Sequence, residues 1–114
     1  MKKVTYIEKI ASTFEKYPVG TQFSTSEILH ILYTEHGINP ANTHPSDHSY
    51  NQTNVGNLAY APVGKLLIFE RVCRAQYKYL GRNYPYTGKV YRYPKGTKEE
   101  VLVGEWKNGT FYPV

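Results

Sequence analysis

The chain has 114 residues, 40% of them hydrophobic, and a formal charge of +5 from 14 Lys and Arg against 9 Asp and Glu. This length suits one domain, and the longest apolar run, residues 66–69, is far below the roughly 18 residues that a membrane helix needs. The charged start is not followed by the apolar segment of a secretory signal, and the single cysteine, Cys73, excludes an internal disulfide. We therefore expect one cytoplasmic domain over residues 1–114, with no membrane partner.

Two amphipathic helices are predicted before residue 40. Over residues 3–17, apolar side chains recur at helical spacing, and a Pro-Val-Gly segment ends the helix. Ser24 and Glu27 form the pattern of a capping box, in which each side chain bonds the amide of the other residue. We therefore expect a second helix that begins after Ser24, ends near His36 and is closed by Gly37.

The segment between residues 38 and 60 is rich in Asn, Ser, Thr and His and holds few large apolar residues. Pro45 suits the first position of a helix and Asp47 suits its first turn, because the amides there are unpaired and the helix dipole favours an anion. We therefore predict a short third helix over residues 45–54. Its polar side chains are candidates for contact with base edges: Ser46, His48, Ser49, Asn51, Gln52 and Asn54.

The rest of the chain predicts antiparallel strands. One hairpin is expected around Cys73-Arg74, and a proline-containing loop follows it at residues 81–88. Asn108-Gly109 favours a type I′ turn, because both residues tolerate a positive φ. The predicted strands cover residues 66–72, 75–80, 89–93, 101–107 and 110–113.

Three helices followed by hairpins predict an α+β fold of the winged helix-turn-helix type. In that fold the third helix enters the major groove of DNA, and the hairpin wing contacts the phosphate backbone. The connection at residues 38–44 is longer than the usual turn of this motif, and the predicted third helix has no Arg or Lys to read guanine. Two interpretations of residues 45–54 therefore stay open: a recognition helix and a polar connecting loop.

A basic, tyrosine-rich stretch covers residues 65–98, where nine Lys and Arg accompany one acid, Glu70. Cations neutralise phosphates and release counterions, while tyrosines add packing and hydroxyl hydrogen bonds. We therefore expect binding to nucleic acid, with duplex DNA as the favoured partner. The alternative is that the tyrosines form the core of a sheet and the lysines keep it in solution. The candidate phosphate contacts are Arg71, Arg74, Lys78, Arg82, Lys89 and Arg92.

Three segments carry a resemblance to a known family: residues 45–51 (PSDHSYN), residues 77–88 (YKYLGRNYPYTG) and residues 104–109 (GEWKNG). With them the chain resembles a family of small prokaryotic and phage domains of poorly defined function that accompany HNH-type nucleases and restriction systems. The resemblance spans roughly the second two-thirds of the chain. It implies a DNA-related accessory module without a catalytic motif, whose partner nuclease would be another chain.

Patterns for catalysis and metal binding are weak. His44 and His48 lie four residues apart beside Asp47, but zinc needs three or four ligands, and no further Cys or carboxylate is spaced to complete the site. The carboxylates of the first 64 residues are scattered, and Cys73 has no obvious neighbouring base. We therefore expect a protein that is not an enzyme and has no metal and no cofactor.

The competing interpretation is a protein-binding module, such as a phage-encoded inhibitor or adaptor of a host enzyme. Arg82, Tyr84 and Tyr86 lie in or beside a Tyr-Pro-Tyr loop, and Tyr and Arg are enriched at interface hot spots. A buried tyrosine corner explains the same residues.

Overall fold

The computed structural model describes residues 6–42, 44–53, 66–92 and 99–113. Two α-helices, α1 and α2, cover Tyr6–Phe14 and Thr25–His36, and two 3₁₀ turns cover Pro40–Asn42 and Pro45–His48. The strands are β1 (Gln22–Ser24), β2 (Gln52–Thr53), β3 (Phe69–Cys73), β4 (Gln76–Tyr79), β5 (Gly88–Arg92), β6 (Val101–Lys107) and β7 (Thr110–Pro113). They form a three-stranded sheet in the order β1-β4-β3 and a four-stranded sheet in the order β2-β5-β6-β7.

Both predicted N-terminal helices are present. The Ser24 hydroxyl accepts a 3.1 Å hydrogen bond from the Glu27 amide, and the Glu27 carboxylate accepts a 2.9 Å hydrogen bond from the Ser24 amide. Gly37 ends α2 in the left-handed conformation, with φ of 64°, which glycine adopts without a steric cost. The predicted capping box and glycine stop are therefore confirmed.

The two helices cover one face of the three-stranded sheet. The buried ring of Phe14 on α1 packs edge to face against Phe23 of β1, at 5.5 Å between centroids, and against Phe69 of β3, at 5.2 Å. Such edge-to-face pairs add to the stabilisation from burial itself. The same core includes two residues of α2 and two tyrosines of β4: Ile28, Leu32, Tyr77 and Tyr79.

The β3–β4 hairpin is present, but its turn lies one residue later than predicted. Arg74 and Ala75 form the turn, and Ala75 has a positive φ of 61°, which is unusual for a residue with a side chain. The pairing also shifts at an irregularity within β3. The resulting register places Glu70 directly opposite Lys78.

The predicted third helix is wrong. Pro45–His48 makes a single 3₁₀ turn, after which the chain hydrogen-bonds to both sheets. The Tyr50 amide donates to the Phe69 carbonyl at 2.8 Å, and the Tyr91 amide donates to the Asn51 carbonyl at 3.1 Å. Strands β3 and β5 thus pair backbone groups of this segment, so its backbone is satisfied without a helix. Of the two interpretations left open, the connecting segment is the one the structure contains.

The four-stranded sheet carries a smaller core. β5 pairs antiparallel with β6, and β2 pairs parallel with β5 through two residues. Asn108 and Gly109 have positive φ values of 48° and 86° and join β6 to β7, so the predicted hairpin is confirmed. Val90 and Val103 are fully buried between these strands.

The winged-helix prediction is wrong. The described part of the chain has two α-helices instead of three, and its remaining regular elements are mainly strands in two sheets. No α-helix follows α2 within the described ranges to complete a helix-turn-helix pair, because residues 50–53 take backbone partners from β3 and β5. The α+β arrangement is one helical layer on a three-stranded sheet, with a second sheet attached through this connecting segment.

Gly104 marks a close approach of β6 and β7. A Cβ there would lie 2.3 Å from the Phe111 ring and 2.8 Å from the Tyr112 carbonyl oxygen, distances at which atoms overlap. Gly104→Ala should therefore lower the free energy of unfolding by about 1–3 kcal/mol, measured by urea denaturation. Combined with Phe111→Leu, the loss should be smaller than the sum of the two single losses; additive losses would contradict the clash.

Candidate functional site

An open cleft of about 480 Å³ lies against the three-stranded sheet. Its floor includes Glu70, Lys78 and Leu80, and its walls are the turn at Val19 and Gly20 and the loop at residues 84–87. The volume falls within the roughly 300–1,000 Å³ of small-ligand sites. We refer to this set of residues as the cleft.

Three polar side chains meet on the floor of the cleft. The Tyr86 hydroxyl donates a 2.7 Å hydrogen bond to Glu70 Oε2, and Lys78 Nζ lies 3.9 Å from Glu70 Oε1. That ion pair is longer than a hydrogen bond, and the Lys78 and Glu70 side chains are 36% and 29% exposed. Such a pair contributes little to stability and leaves the ammonium able to bind an anion.

The hairpin register brings Glu70 and Lys78 together on the outer face of the sheet. Their chain neighbours Phe69 and Tyr79 point into the core beneath the helices. Because successive side chains of a strand point to opposite faces, Glu70 and Lys78 point away from the helices. The single acid of the basic stretch thus faces one of its cations inside the cleft.

Tyr50 is buried beneath the loop that forms one wall of the cleft, and it holds this loop in place. Its hydroxyl donates a 2.6 Å hydrogen bond to the Gly81 carbonyl and accepts one of 3.1 Å from the Tyr84 amide. Its ring stacks on Tyr86, with 5.2 Å between centroids and 18° between planes. The Trp106 indole of β6 donates to the Tyr50 carbonyl at 3.0 Å. One buried residue therefore connects β6 and the end of β4 to the loop.

The loop is also attached to the turn between β6 and β7. The Gly109 amide donates to the Tyr86 carbonyl at 2.9 Å, and the Asn108 amide donates to the Thr87 hydroxyl at 2.9 Å. Within the loop, the Tyr86 amide donates to the Tyr84 carbonyl at 2.7 Å. These bonds hold the loop in one shape, so a ligand would find the wall already formed.

Two buried tyrosines at the loop wall, Tyr50 and Tyr86, are neutral hydrogen-bond donors at ordinary pH. Burial raises the pKa of both above the usual 10.0. For Tyr86, the Glu70 carboxylate raises the pKa further, because it accepts the hydroxyl hydrogen bond and repels a phenolate. The Tyr86 hydroxyl therefore keeps its proton and its bond to Glu70.

The six predicted phosphate contacts are in different environments. Arg71 and Arg92 are half-buried, and Arg71 lies opposite Tyr77, on the face of the sheet that the helices cover. Lys89 is exposed and lies opposite Glu105 across β5 and β6. The remaining three lie in or beside β4, and we name them the β4 cations: Arg74, Lys78 and Arg82.

Three of the predicted base contacts are bonded within the protein. Ser49 is fully buried, and its hydroxyl donates to a carbonyl four residues earlier at 2.9 Å. The Asn51 side chain bonds both the amide and the carbonyl of Arg71 at 2.8 Å, as a neighbouring strand would. His48 Nδ1 lies 3.0 Å from the Leu66 carbonyl oxygen. Asn51 thus holds the connecting segment against β3, His48 contacts the chain before β3, and Ser49 bonds within the segment.

The other three predicted base contacts do not form, within the described residues, the exposed polar surface that base recognition would need. Ser46 and Gln52 are half-buried, and Asn54 lies outside the described residues. The six residues were expected to contact base edges from a third helix, and the described part of residues 45–54 contains only one 3₁₀ turn, at Pro45–His48. The prediction of base contacts depended on a third helix, and the described residues do not form one.

The predicted protein interface is divided between surface and interior. Arg82 is exposed and Tyr84 is 36% exposed, whereas Tyr86 is 6% exposed. The buried-tyrosine explanation thus fits Tyr86, and Tyr84 stays at the surface in the wall of the cleft.

The described ranges contain neither a metal-binding cluster nor a membrane-spanning helix. No three His, Cys, Asp or Glu side chains there form a group that could hold a metal ion. None of the helices in those ranges is long and apolar enough to cross a membrane. Cys73 is exposed at the end of β3 and does not line the cleft.

Several cleft residues were missed by sequence analysis. Val19 and Leu80 are single apolar residues whose role depends on the fold, so no local pattern marks them. Tyr50, which supports the cleft from the interior, lies within the predicted polar helix, where no pattern marks it. Glu70 did carry a signal, because it is the single acid among nine cations in residues 65–98.

The family model described as "Domain of unknown function (DUF7225)" matches residues 5–112, a range that includes every residue of the cleft. The chain belongs to the DUF7225 family. A relative from Bacillus subtilis (strain 168), "Uncharacterized protein YnaC", is 39% identical over 106 residues, which are 93% of this chain and 38% of YnaC. The DUF7225 chain thus spans little more than a third of that relative. No solved structure matches it.

Tyr50→Phe tests how this DUF7225 domain holds the loop wall. The change keeps the ring but leaves the Gly81 carbonyl and the Tyr84 amide without their partner. We expect a loss of about 1–3 kcal/mol in the free energy of unfolding. Hydrogen exchange should also show faster exchange of the Tyr84 amide.

The matched control is Tyr33→Phe, because Tyr33 is 58% exposed on α2. Removing this hydroxyl should change stability by less than about 0.5 kcal/mol. Equal effects of the two changes, or an unaltered Tyr84 amide in Tyr50→Phe, would contradict the role given to Tyr50.

Proposed function

We propose that the protein is a non-enzymatic module that binds nucleic acid through phosphate contacts made by the β4 cations. The observation that supports this proposal most is the separation of charge in the fold. Residues 66–92 hold six Lys and Arg and one acid, whereas residues 6–36 hold two Lys and four Glu. Because α1 and α2 cover one face of the three-stranded sheet, an acidic helical layer contrasts with a basic hairpin.

The β4 cations have the exposure that phosphate binding requires. Arg74 and Arg82 are exposed at the two ends of β4, and Lys78 lies between them on the cleft floor. Each cation that displaces counterions from a phosphate strengthens binding and makes it more sensitive to salt. The affinity of this surface for nucleic acid should therefore fall steeply as salt rises.

The proposed mode of binding differs from that of a winged helix. Phosphate contacts position a protein on nucleic acid but carry no direct sequence information. With no recognition helix in the described residues, we propose binding that tolerates many sequences. Duplex DNA, single-stranded DNA and RNA are all partners to test.

A cytoplasmic setting beside an HNH-type nuclease or a restriction system is also a proposal. It rests on the resemblance in three segments, at residues 45–51, 77–88 and 104–109. In that setting the module would bring a nuclease on another chain to nucleic acid.

A protein-binding module is the second candidate function. The observation that favours it is the exposure of two apolar side chains in the walls of the cleft, Val19 at 61% and Tyr84 at 36%. Exposed Tyr and Arg side chains are enriched at protein interfaces. In this case Tyr84 and Arg82, rather than the buried Tyr86, would contact the partner.

Removing two of the β4 cations tests the nucleic-acid proposal. We expect Arg74→Gln with Arg82→Gln to weaken binding to labelled single strands, duplex and RNA, and to lower the slope of log affinity against log salt by about 1–2. Fluorescence anisotropy between about 50 and 200 mM salt measures both quantities.

The control removes the same charge from the helical side, through Lys9→Gln with Lys16→Gln. Lys16 pairs with Glu35 at the surface, and such pairs contribute little to stability. This control should bind like the unaltered protein. Equal weakening by both pairs of changes would show that only net charge matters, and no binding of any probe at low salt would sink the proposal.

A further inference from the structure

We propose that the cleft holds one unstacked nucleotide of a single strand, with its base against Tyr84 and its phosphate near Lys78. This inference rests on the nucleic-acid binding proposed above and names the partner as single-stranded. The cleft combines an aromatic ring, Tyr84, with a cation, Lys78, and a hydrogen-bond acceptor, Glu70. The hydrogen bonds of the loop fix the position of its wall before a ligand binds.

The aromatic wall is an exposed ring on a fixed backbone. Tyr84 is 36% exposed, while its amide is bonded to the Tyr50 hydroxyl at 3.1 Å. Base stacking on such a ring needs no particular base, because every base has a flat π face. Val19, 61% exposed, also lines the cleft and offers it an apolar surface.

The floor supplies the polar partners that a nucleotide needs. Lys78 Nζ is 3.9 Å from Glu70 Oε1, so this ammonium makes no hydrogen bond to that oxygen and has donors for a phosphate. Glu70 Oε2 is occupied by the Tyr86 hydroxyl at 2.7 Å. Glu70 Oε1 can accept an N–H from a base edge. Charge, stacking and hydrogen bonding are thus available together in a cleft of about 480 Å³.

The surroundings favour a nucleotide over an apolar peptide. The chain around the cleft is basic, with Arg74 and Arg82 on either side of Lys78 along β4. A nucleotide strand carries one phosphate per residue and can continue from the cleft onto these cations. Duplex DNA cannot place a base on Tyr84 unless that base leaves the stack, so single strands should bind more tightly.

The test is an NMR titration of the full chain, labelled with ¹⁵N, with a ten-residue oligodeoxycytidylate, its duplex with oligodeoxyguanylate, and the mononucleotide dCMP. The amides of Leu80, Tyr84 and Thr87 should shift with the single strand and with dCMP. Inorganic phosphate, used as a control, should shift the β4 region but leave the Tyr84 amide in place.

Affinity measurements with variants complete the test. Tyr84→Ala should weaken single-strand binding roughly tenfold and leave duplex binding unchanged, because it removes only the stacking surface. Tyr84→Phe keeps the ring and should bind normally, which separates stacking from loss of folding. Tyr33→Ala, a change of another exposed tyrosine on α2, should have no effect.

The outcomes distinguish this inference from the function on which it rests. Salt-dependent binding of all polymers, with no effect of Tyr84→Ala and no shift of the cleft amides, would overturn the nucleotide cleft and leave the phosphate-binding proposal standing. Shifts of the cleft amides by dCMP without binding of any polymer would support the cleft and overturn that proposal. No response to any probe would overturn both and favour a peptide partner.

Discussion

The Tyr50 hydroxyl accepts a hydrogen bond from the Tyr84 amide and donates one to the Gly81 carbonyl. The Tyr50 amide donates to the Phe69 carbonyl of β3, and the Tyr50 carbonyl accepts a hydrogen bond from the Trp106 indole of β6. The residue is only 3% exposed, so these bonds form where water does not compete for them. Without them, the end of β4, the loop at residues 84–87 and the four-stranded sheet would have fewer fixed contacts with one another. The position of the cleft depends on this group of bonds.

The same arrangement divides the side chains of the basic stretch between the interior and the surface. Three of its tyrosines lie in two cores, Tyr77 and Tyr79 beneath the helices and Tyr86 against Tyr50, and Tyr84 keeps an exposed ring. Its cations divide as well, because strand alternation and pairing place some on covered faces. In the described part of the stretch, the accessible cations are the β4 cations beside the loop wall and Lys89 on β5. Binding is therefore expected to be local, with charge supplying affinity and the cleft supplying selectivity for flexible strands.

Sequence predicted the elements whose causes are local. The capping box at Ser24 and the turn at Asn108-Gly109 depend on residues within four positions, and both were correct. The helix predicted at residues 45–54 was wrong because the conformation of this segment depends on backbone hydrogen bonds to β3 and β5. Both strands are distant in sequence, so no local pattern shows them. The β3–β4 turn lies one residue later than predicted, because Ala75 takes a positive φ that glycine or asparagine would have signalled. The cleft could not be predicted, since the contact of Glu70 with Tyr86 requires the β3–β4 register and the burial of Tyr86.

Photochemical crosslinking tests the central claim most directly, because it reports which residues touch a base. A single strand carrying 4-thiothymidine would be irradiated with the full chain, and the crosslinked peptides would be mapped by mass spectrometry. Our account places the crosslinks within residues 78–87, at the β4 end of the hairpin and the loop wall. Crosslinks confined to residues 44–53 or to α1 and α2, or no crosslink under conditions where the strand is bound, would contradict it.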